Sequence, residues 1–159
     1  MSYEIRKATE SDIDQLVVLF NEATKRKIDK GDTAWGDPNW VEAEVDSLLS
    51  KGTVFIAKKD GDIAGTVSVS MKDERGAWDS EPSVYIQKLA GRETDKGIGR
   101  IMLDSARVFA ESHEMHRLRL DCSSGNHRLC DYYERAGFTK VKTVPTEEDG
   151  EIALFEKQV

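Results

Sequence analysis

The turn Lys96-Gly97-Ile98-Gly99-Arg100 lies between an apolar run, Val84 to Ala90, and an amphipathic run, Ile98 to Ser112. After it, Arg117 to Cys122 alternates charged and apolar residues, with Leu118, Leu120 and Cys122 on one side. A strand followed by a helix and another strand must cross over, and the two strands then pair in parallel with a right-handed connection. The turn also carries chemistry. Two glycines admit an anion close to the backbone because no Cβ intervenes. A helix starting at Ile98 presents unbonded amides and the positive end of its dipole. Lys96 and Arg100 add positive charge. The expectation is a phosphate cradle made of Lys96, Gly97, Ile98, Gly99 and Arg100; the plain alternative is an ordinary β–α turn.

The rest of the chain frames that unit. Ile5 marks a first strand, and Thr9-Glu10-Ser11-Asp12 resembles a helix cap with an acid three residues after Thr9. Ile13, Leu16, Val17, Phe20 and Ala23 repeat at helical spacing as far as Lys30-Gly31. After a linker, Asp32 to Asn39, a second helix is expected from about Pro38, with Val41, Val45, Leu48 and Leu49 on one face. Thr53 to Ala57 and Ile63 to Met71 flank Asp60-Gly61, a strong hairpin signal. Ile63, Gly65, Val67, Val69 and Met71 should share one face. Lys72 to Pro82 is a polar connector. Ser123 to Asn126 caps a short helix that runs to about Ala136, with Gly137 just past its end. Two final strands, Phe138 to Val144 and Gly150 to Glu156, are joined by Pro145 to Asp149. The order β-α-α-β-β-β-α-β-α-β-β implies an α/β (α+β mixed) fold: a mixed, mostly antiparallel twisted sheet with a central parallel strand pair and helices on both faces.

Residues 1–159 suit one domain able to bury a real core. No apolar run approaches the roughly 20 residues that span a bilayer, and the first residues form no apolar signal segment, so a cytoplasmic location and no membrane partner are expected. The net charge of −7 argues against a nucleic-acid partner and favours an amine-bearing one. Cys122 and Cys130 fit a reduced compartment and form no metal spacing with His113, His116 and His127, so no metal is expected. Met102 stands where a dinucleotide fingerprint needs its third glycine, and no Gly-Lys-Ser/Thr is present, which disfavours a nucleotide-dependent transferase.

The stretch Asn126-His127-Arg128-Leu129-Cys130-Asp131-Tyr132-Tyr133-Glu134-Arg135-Ala136-Gly137-Phe138 follows the glycine turn after one helix and one strand. The pair resembles the GNAT superfamily of acyl-CoA N-acyltransferases, and the element order matches that fold. Thr33-Ala34-Trp35-Gly36, Val84 to Ala90 and Arg119-Leu120-Asp121-Cys122 extend the likeness to a bacterial branch of uncharacterised acetyltransferases. The chain departs from the family's acyl-CoA loop at Thr94, where Gln or Arg is usual, and at Asp95, and the loop is about two residues short. A carboxylate beside a diphosphate is unfavourable unless it turns to solvent, with Lys96 and Arg100 offsetting it.

The resemblance implies an N-acetyltransferase that moves an acetyl group from acetyl-CoA to a primary amine of a small molecule or protein, by direct attack in a ternary complex. A homodimer is a further expectation by resemblance. Backbone groups of Leu89 and Ala90 would bond the pantetheine arm, and Asn126 would too unless it is simply a cap. Tyr133 would be the general acid, since a phenol stays protonated at neutral pH and can donate to a thiolate. Its plain reading is a core tyrosine, a part that falls instead to its neighbour Tyr132 if Tyr133 is the acid. Trp35 and Trp78 would wall the acceptor site, or else fold onto the core with Trp40. Gln87 would hold a water. Asp79 and Glu81 are weak candidates for a base, and Cys122 reads as a buried small residue rather than a nucleophile. The rival reading is a non-catalytic acyl-CoA-binding regulatory domain.

Overall fold

In the computed structural model, which describes residues 2–147 and 150–159, a seven-stranded sheet runs in the order β1-β2-β3-β4-β5-β7-β6. Its strands are β1 (Glu4–Lys7), β2 (Thr53–Lys59), β3 (Asp62–Ser70), β4 (Val84–Gly91), β5 (Arg117–Ser123), β6 (Thr139–Thr146) and β7 (Gly150–Gln158). The helices are α1 (Ile13–Asp29), α2 (Glu42–Lys51), α3 (Ile98–Ser112) and α4 (His127–Arg135). Among the described residues only β4 and β5 are parallel, joined through α3; the other neighbours are antiparallel. The expected mixed sheet with a central parallel pair is therefore present.

Alternating side chains split the core in two. Leu16, Phe20 and Val45, from α1 and α2, meet Val54, Ile56 and Ile63 on one face. Met102, Leu103 and Ala106 of α3 meet Val67, Val69, Leu118 and Leu120 on the other, together with Tyr133 and Phe138. The turn Asp60-Gly61 has φ of 55° and 85°, the geometry a two-residue hairpin requires.

Four local expectations are corrected. Ile63 does not share a face with Val67 and Val69, because Ala57 pairs with Gly65 while Lys58 pairs with Ile63, which leaves Ala64 as an extra residue that flips the alternation. Met71 lies past the end of β3 and is exposed. Helix α2 begins at Glu42, not near Pro38, so Val41 is its exposed cap residue. Pro145 and Thr146 belong to β6 rather than to a connector, whereas Glu148 and Asp149 lie outside the described residues.

Helix α3 is seated by the absence of side chains beneath it. A Cβ at Gly65 would come within 2.5 Å of the Ile98 side chain, and one at Gly91 within 2.4 Å. Ile98 thus wedges between β3 and β4 and brings the start of α3 down onto the sheet.

At the entry to α1, Arg6 holds the buried Asp12 through two hydrogen bonds of 2.8 and 2.9 Å, and the Thr9 amide donates to the same carboxylate. The Arg6 guanidinium, with the Thr9 amide, brings the Asp12 carboxyl down to about 2. A depressed carboxyl stabilises the fold above its unfolded pKa, near 3.9, and loses that contribution as pH falls through the folded value. Urea unfolding should therefore show roughly 1–2 kcal/mol of stability lost between about pH 4 and 2 in the wild type, with a smaller loss in Arg6→Ala over the same window. An equal pH dependence in the two proteins would remove this pair as the cause.

Candidate active site

The site begins with a fault in β4. Ser68 pairs with Gln87 and Thr66 with Ala90, so two steps along β3 face three along β4. The surplus is taken up at Lys88, whose φ is +48°. Such a bulge bends the strand and adds twist. Consistent with that, β4 and β5 pair only at Val84–Leu118 and Tyr85–Arg119, although β4 continues to Gly91 and β5 to Ser123. Beyond Tyr85 the two central strands part.

Two hollows meet at this parting. A cavity of about 340 Å³ is lined by Gln87, Lys88 and Leu89 of β4, Leu120 to Ser123 of β5, Leu129 and Tyr133 of α4, and both Trp35 and Trp78. A groove of about 260 Å³ is lined by Ala23, Arg26 and Lys27 of α1, Lys30 just past its end, Leu89 to Gly91, and Asn126, Arg128, Leu129 and Tyr132. Lys27, Leu89 and Leu129 belong to both. The geometry is thus a groove leading to a cavity between splayed strands.

Each sequence-derived residue now has a place. Leu89 lies at the junction, Ala90 faces the groove, and Gln87 faces the cavity. Trp35 lines the cavity, with the Lys27 and Lys88 ammonium groups 4.8 and 5.1 Å from its ring centroid. Trp78 lines it with the Arg119 guanidinium 4.5 Å from its ring. Trp40 instead stacks on Phe20 at 4.8 Å and bonds Thr24. Asn126 caps α4, accepting from the Leu129 amide at 3.1 Å, and its Nδ2 donates to Asp32 at 2.7 Å.

Of the two tyrosines, the core position expected of Tyr132 is held by Tyr133. Tyr133 is the buried one, packed edge-on to Phe138 and tilted against Phe155, while it also lines the cavity. Burial pushes its phenol well above the ordinary value. Tyr132 is half-buried and lies over the start of α3: a Cβ at Gly99 would come within 2.2 Å of its hydroxyl. Because that hydroxyl is the far end of a side chain, it links the glycine turn to the groove without locking it.

In the turn, Gly97 has φ +85° and precedes the first residue of α3. The Ile98 amide donates to the Asp95 carbonyl at 3.2 Å, whereas the amides of Gly97, Gly99 and Arg100 meet no acceptor among the described residues. Arg100 donates to the Arg135 carbonyl, and Lys96 is exposed. Asp95 turns neither to solvent nor to Lys96 or Arg100. It is buried, and accepts from Arg92 Nε at 2.7 Å and from the Tyr3 hydroxyl at 2.9 Å, with Lys59 at 3.8 Å. Arg92, helped by Tyr3 and Lys59, holds its carboxyl below the ordinary value. The carboxylate that looked hostile to a diphosphate is instead the anchor beneath the turn.

Asp32 gave no sequence signal as a site residue, and nothing in sequence gave Arg119 a role of its own. Asp32 is buried in the cavity wall; burial alone would push its carboxyl up, but Asn126, the Ala34 amide and Lys27 outweigh that and hold it down. Arg119 is buried, bonds Asp79 at 2.9 Å, and leaves Nε without a partner among the described residues. That pairing occupies Asp79, and Glu81 is exposed and lines neither hollow. The Cys122 sulfur lies 3.6 Å from that of Cys130, and burial pushes its thiol up, as suits a packed residue rather than a nucleophile. Among the described residues no group of three or more His, Cys, Asp or Glu is placed to hold a metal ion, and no helix is long and apolar enough to cross a membrane.

Known proteins share this architecture. The family model described as acetyltransferase (GNAT) matches residues 16–138. In sequence, the chain is 30% identical over 103 residues to the uncharacterized N-acetyltransferase YesJ of Bacillus subtilis, a match covering 60% of this chain and 57% of that one. The chain spans about half the length of the curated relatives it matches. In structure, a GNAT-family acetyltransferase from Streptococcus agalactiae superposes with a TM-score of 0.82 at 19% identity, over 99% of this chain and 95% of that one. A Salmonella typhimurium protein solved with its cofactor acetyl-CoA superposes with a TM-score of 0.73 at 18% identity, over 99% and 94%. At such identities the likeness to both solved structures is one of fold.

The anchoring of the turn is testable without any ligand. Asp95→Ala strips one acceptor from Arg92, Tyr3 and Lys59 and should cost about 1–3 kcal/mol. Amide exchange across residues 92–100 should accelerate more than elsewhere. Uniform acceleration over the chain, or none, would refute the anchor.

Proposed function

The chain belongs to the acetyltransferase (GNAT) family, and from that premise we propose that it is an acetyl-CoA-dependent N-acetyltransferase. It transfers the acetyl group to a primary amine of a small molecule or protein by direct attack in a ternary complex, as a single acyltransferase domain working in the cytoplasm, with a homodimer as its assembly. The observation that carries the reading is the meeting of groove and cavity at Lys27, Leu89 and Leu129, beside Tyr133. One hollow admits a long coenzyme arm, the other admits the acceptor, and the thioester carbon lies where they join.

In this scheme the Gly97, Gly99 and Arg100 amides hold the coenzyme diphosphate at the start of α3. Backbone groups of Leu89 and Ala90, freed from β5 by the parting of the strands, bond the pantetheine amides. Asn126 contributes through its remaining amide proton and by capping α4. Trp35 and Trp78 flank the acceptor amine with aromatic faces, and Gln87 holds a water. The amine attacks the thioester carbonyl, the carbon–sulfur bond breaks, the phenol of Tyr133 protonates the departing thiolate, and the proton that the nitrogen loses passes to water and restores the phenol. Desolvation keeps the phenol protonated until the thiolate forms; it weakens the phenol as an acid and makes a thiolate formed there more basic, so the two effects oppose each other.

A thermal-shift titration with acetyl-CoA, CoA, ATP and NAD, followed by thiol detection over a panel of amines, tests the reading. Saturable stabilisation by the two coenzyme species alone and amine-dependent thiol release are expected. Stabilisation by ATP or NAD but not by acetyl-CoA overturns it; stabilisation by CoA with no release for any amine favours a regulatory acyl-CoA-binding domain. Tyr133→Phe should lower kcat by about 10²-fold or more and leave coenzyme affinity nearly unchanged. An unaltered kcat across pH would exclude Tyr133 as the acid.

A further inference from the structure

The chain has two cysteines, Cys122 and Cys130, eight positions apart. Cys122 lies on β5, on the face it shares with Leu118 and Leu120, and Cys130 lies near the start of α4. The intervening turn folds α4 back over the end of β5. The Cys130 thiol there donates to the Ser123 carbonyl at 3.7 Å, and its sulfur lies 3.6 Å from that of Cys122. A thiol has one proton, so with the Cys130 proton on that carbonyl the Cys122 thiol donates to the Cys130 sulfur. Both thiols are free. A bond between them, about 2.05 Å long, requires the sulfurs to close by roughly 1.5 Å.

The two sulfurs differ in access. Cys122 is buried, and burial pushes its thiol up, so it does not attack an outside reagent. Cys130 is half-buried and is the sulfur that a small oxidant reaches. Contact changes what Cys122 needs: a partner held beside it replaces a chance encounter, and such proximity offsets weak nucleophilicity. The backbone here also has room to yield. Asp121 to Ser123 pair with β7 alone among the described residues, because β4 has parted from β5.

We propose that Cys122 and Cys130 are a modification site: a peroxide joins them in a reversible disulfide, and that bond slows the reaction at the adjoining cavity. The Cys130 sulfur attacks a peroxide oxygen, the O–O bond breaks, and the departing hydroxide leaves as water with the thiol proton. The Cys122 sulfur then attacks the resulting sulfenic sulfur of Cys130. The S–O bond breaks, and a second water carries off the Cys122 proton. Each sulfur is oxidised by one electron, and the peroxide is reduced to two waters. A dithiol reverses the bond by exchange. The effect on the site follows from what flanks Cys130. Leu129 stands where groove and cavity meet, and Tyr133, three residues on and beside Cys130 on the helix, lines the cavity, as does Cys122. Drawing Cys130 toward β5 moves both residues, and a misplacement of about 1 Å costs as much as about 10²-fold in rate. This second part rests on the reading of the site as that of an acetyltransferase; formation of the disulfide does not.

Hydrogen peroxide added to the intact chain, followed by denaturing mass spectrometry, tests the bond. The wild type should lose two hydrogen atoms, the peptides bearing Cys122 and Cys130 should be joined, and dithiothreitol should restore the mass. Cys130→Ser should give no such product. Amide exchange over residues 124–135 should slow in the oxidised wild type, a measurement that needs neither ligand nor variant. After the reagents are removed, acetyl transfer from acetyl-CoA to the amine giving the fastest thiol release should be about tenfold or more slower in the oxidised protein. It should recover after dithiothreitol, and peroxide should leave the rate of Cys130→Ser unchanged. No loss of hydrogen, oxygen added to Cys130 without a link to Cys122, or a link between chains overturns the site. A disulfide that leaves amide exchange or turnover unchanged overturns its coupling to the cavity. Absence of acetyl transfer in the reduced protein removes the acetyltransferase reading instead, and the mass and exchange results still decide the disulfide.

Discussion

The site depends on two central strands that stop pairing. A continuous β4–β5 ladder would satisfy every backbone group between Ile86 and Gly91 and leave no room for a ligand. The surplus residue at Lys88 ends the ladder after Tyr85–Arg119. A non-glycine residue at positive φ is uncommon and costs free energy. The sheet tolerates it because β3 still holds β4 on its other edge, from Gly65 to Ser70. Local strain in one strand is thus exchanged for a set of exposed backbone donors and acceptors at the centre of the molecule.

The parted strands alone make only a slot; what surrounds them gives it direction. Ile98, seated on Gly65 and Gly91, fixes the start of α3 at one end. The Asp32–Asn126 bond ties the α1–α2 linker to the cap of α4 across the slot, and Asp32 lines the cavity while Asn126 lines the groove. That bond stands at the boundary of the two hollows. It holds the wall bearing Trp35 against the helix bearing Tyr133, so the cavity and the groove share one brace.

The architecture was legible because it is written in local patterns. Glycine turn, helix periodicity and the Asp60-Gly61 hairpin gave the element order, and the crossover rule gave the parallel pair. The elements misplaced in sequence were those where a single residue breaks a period. Ala64 reverses the alternation of β3, and nothing in Ile63 to Met71 announces it. The site was half legible. Residues in contiguous motifs, such as Gly97, Gly99, Asn126 and Tyr133, could be named. The roles of Asp32 and Arg119 could not, because they lie in partners far along the chain, Asn126 and Asp79. Asp95 shows the limit most clearly: its charge was visible, but the direction of its side chain depends on Arg92 together with Tyr3 and Lys59, two residues distant in sequence.

That last contact links two regions with very different mechanical security. Strand β1 is four residues long and lies at the edge of the sheet, paired to β2 alone. Edges of this kind open locally at far less than the global unfolding free energy. When β1 frays, Tyr3 leaves Asp95, and the carboxylate keeps only Arg92 and Lys59 as its partners. Tyr3 therefore acts as one tether on a turn encoded more than half the sequence away, and part of the order of that turn depends on a four-residue edge strand.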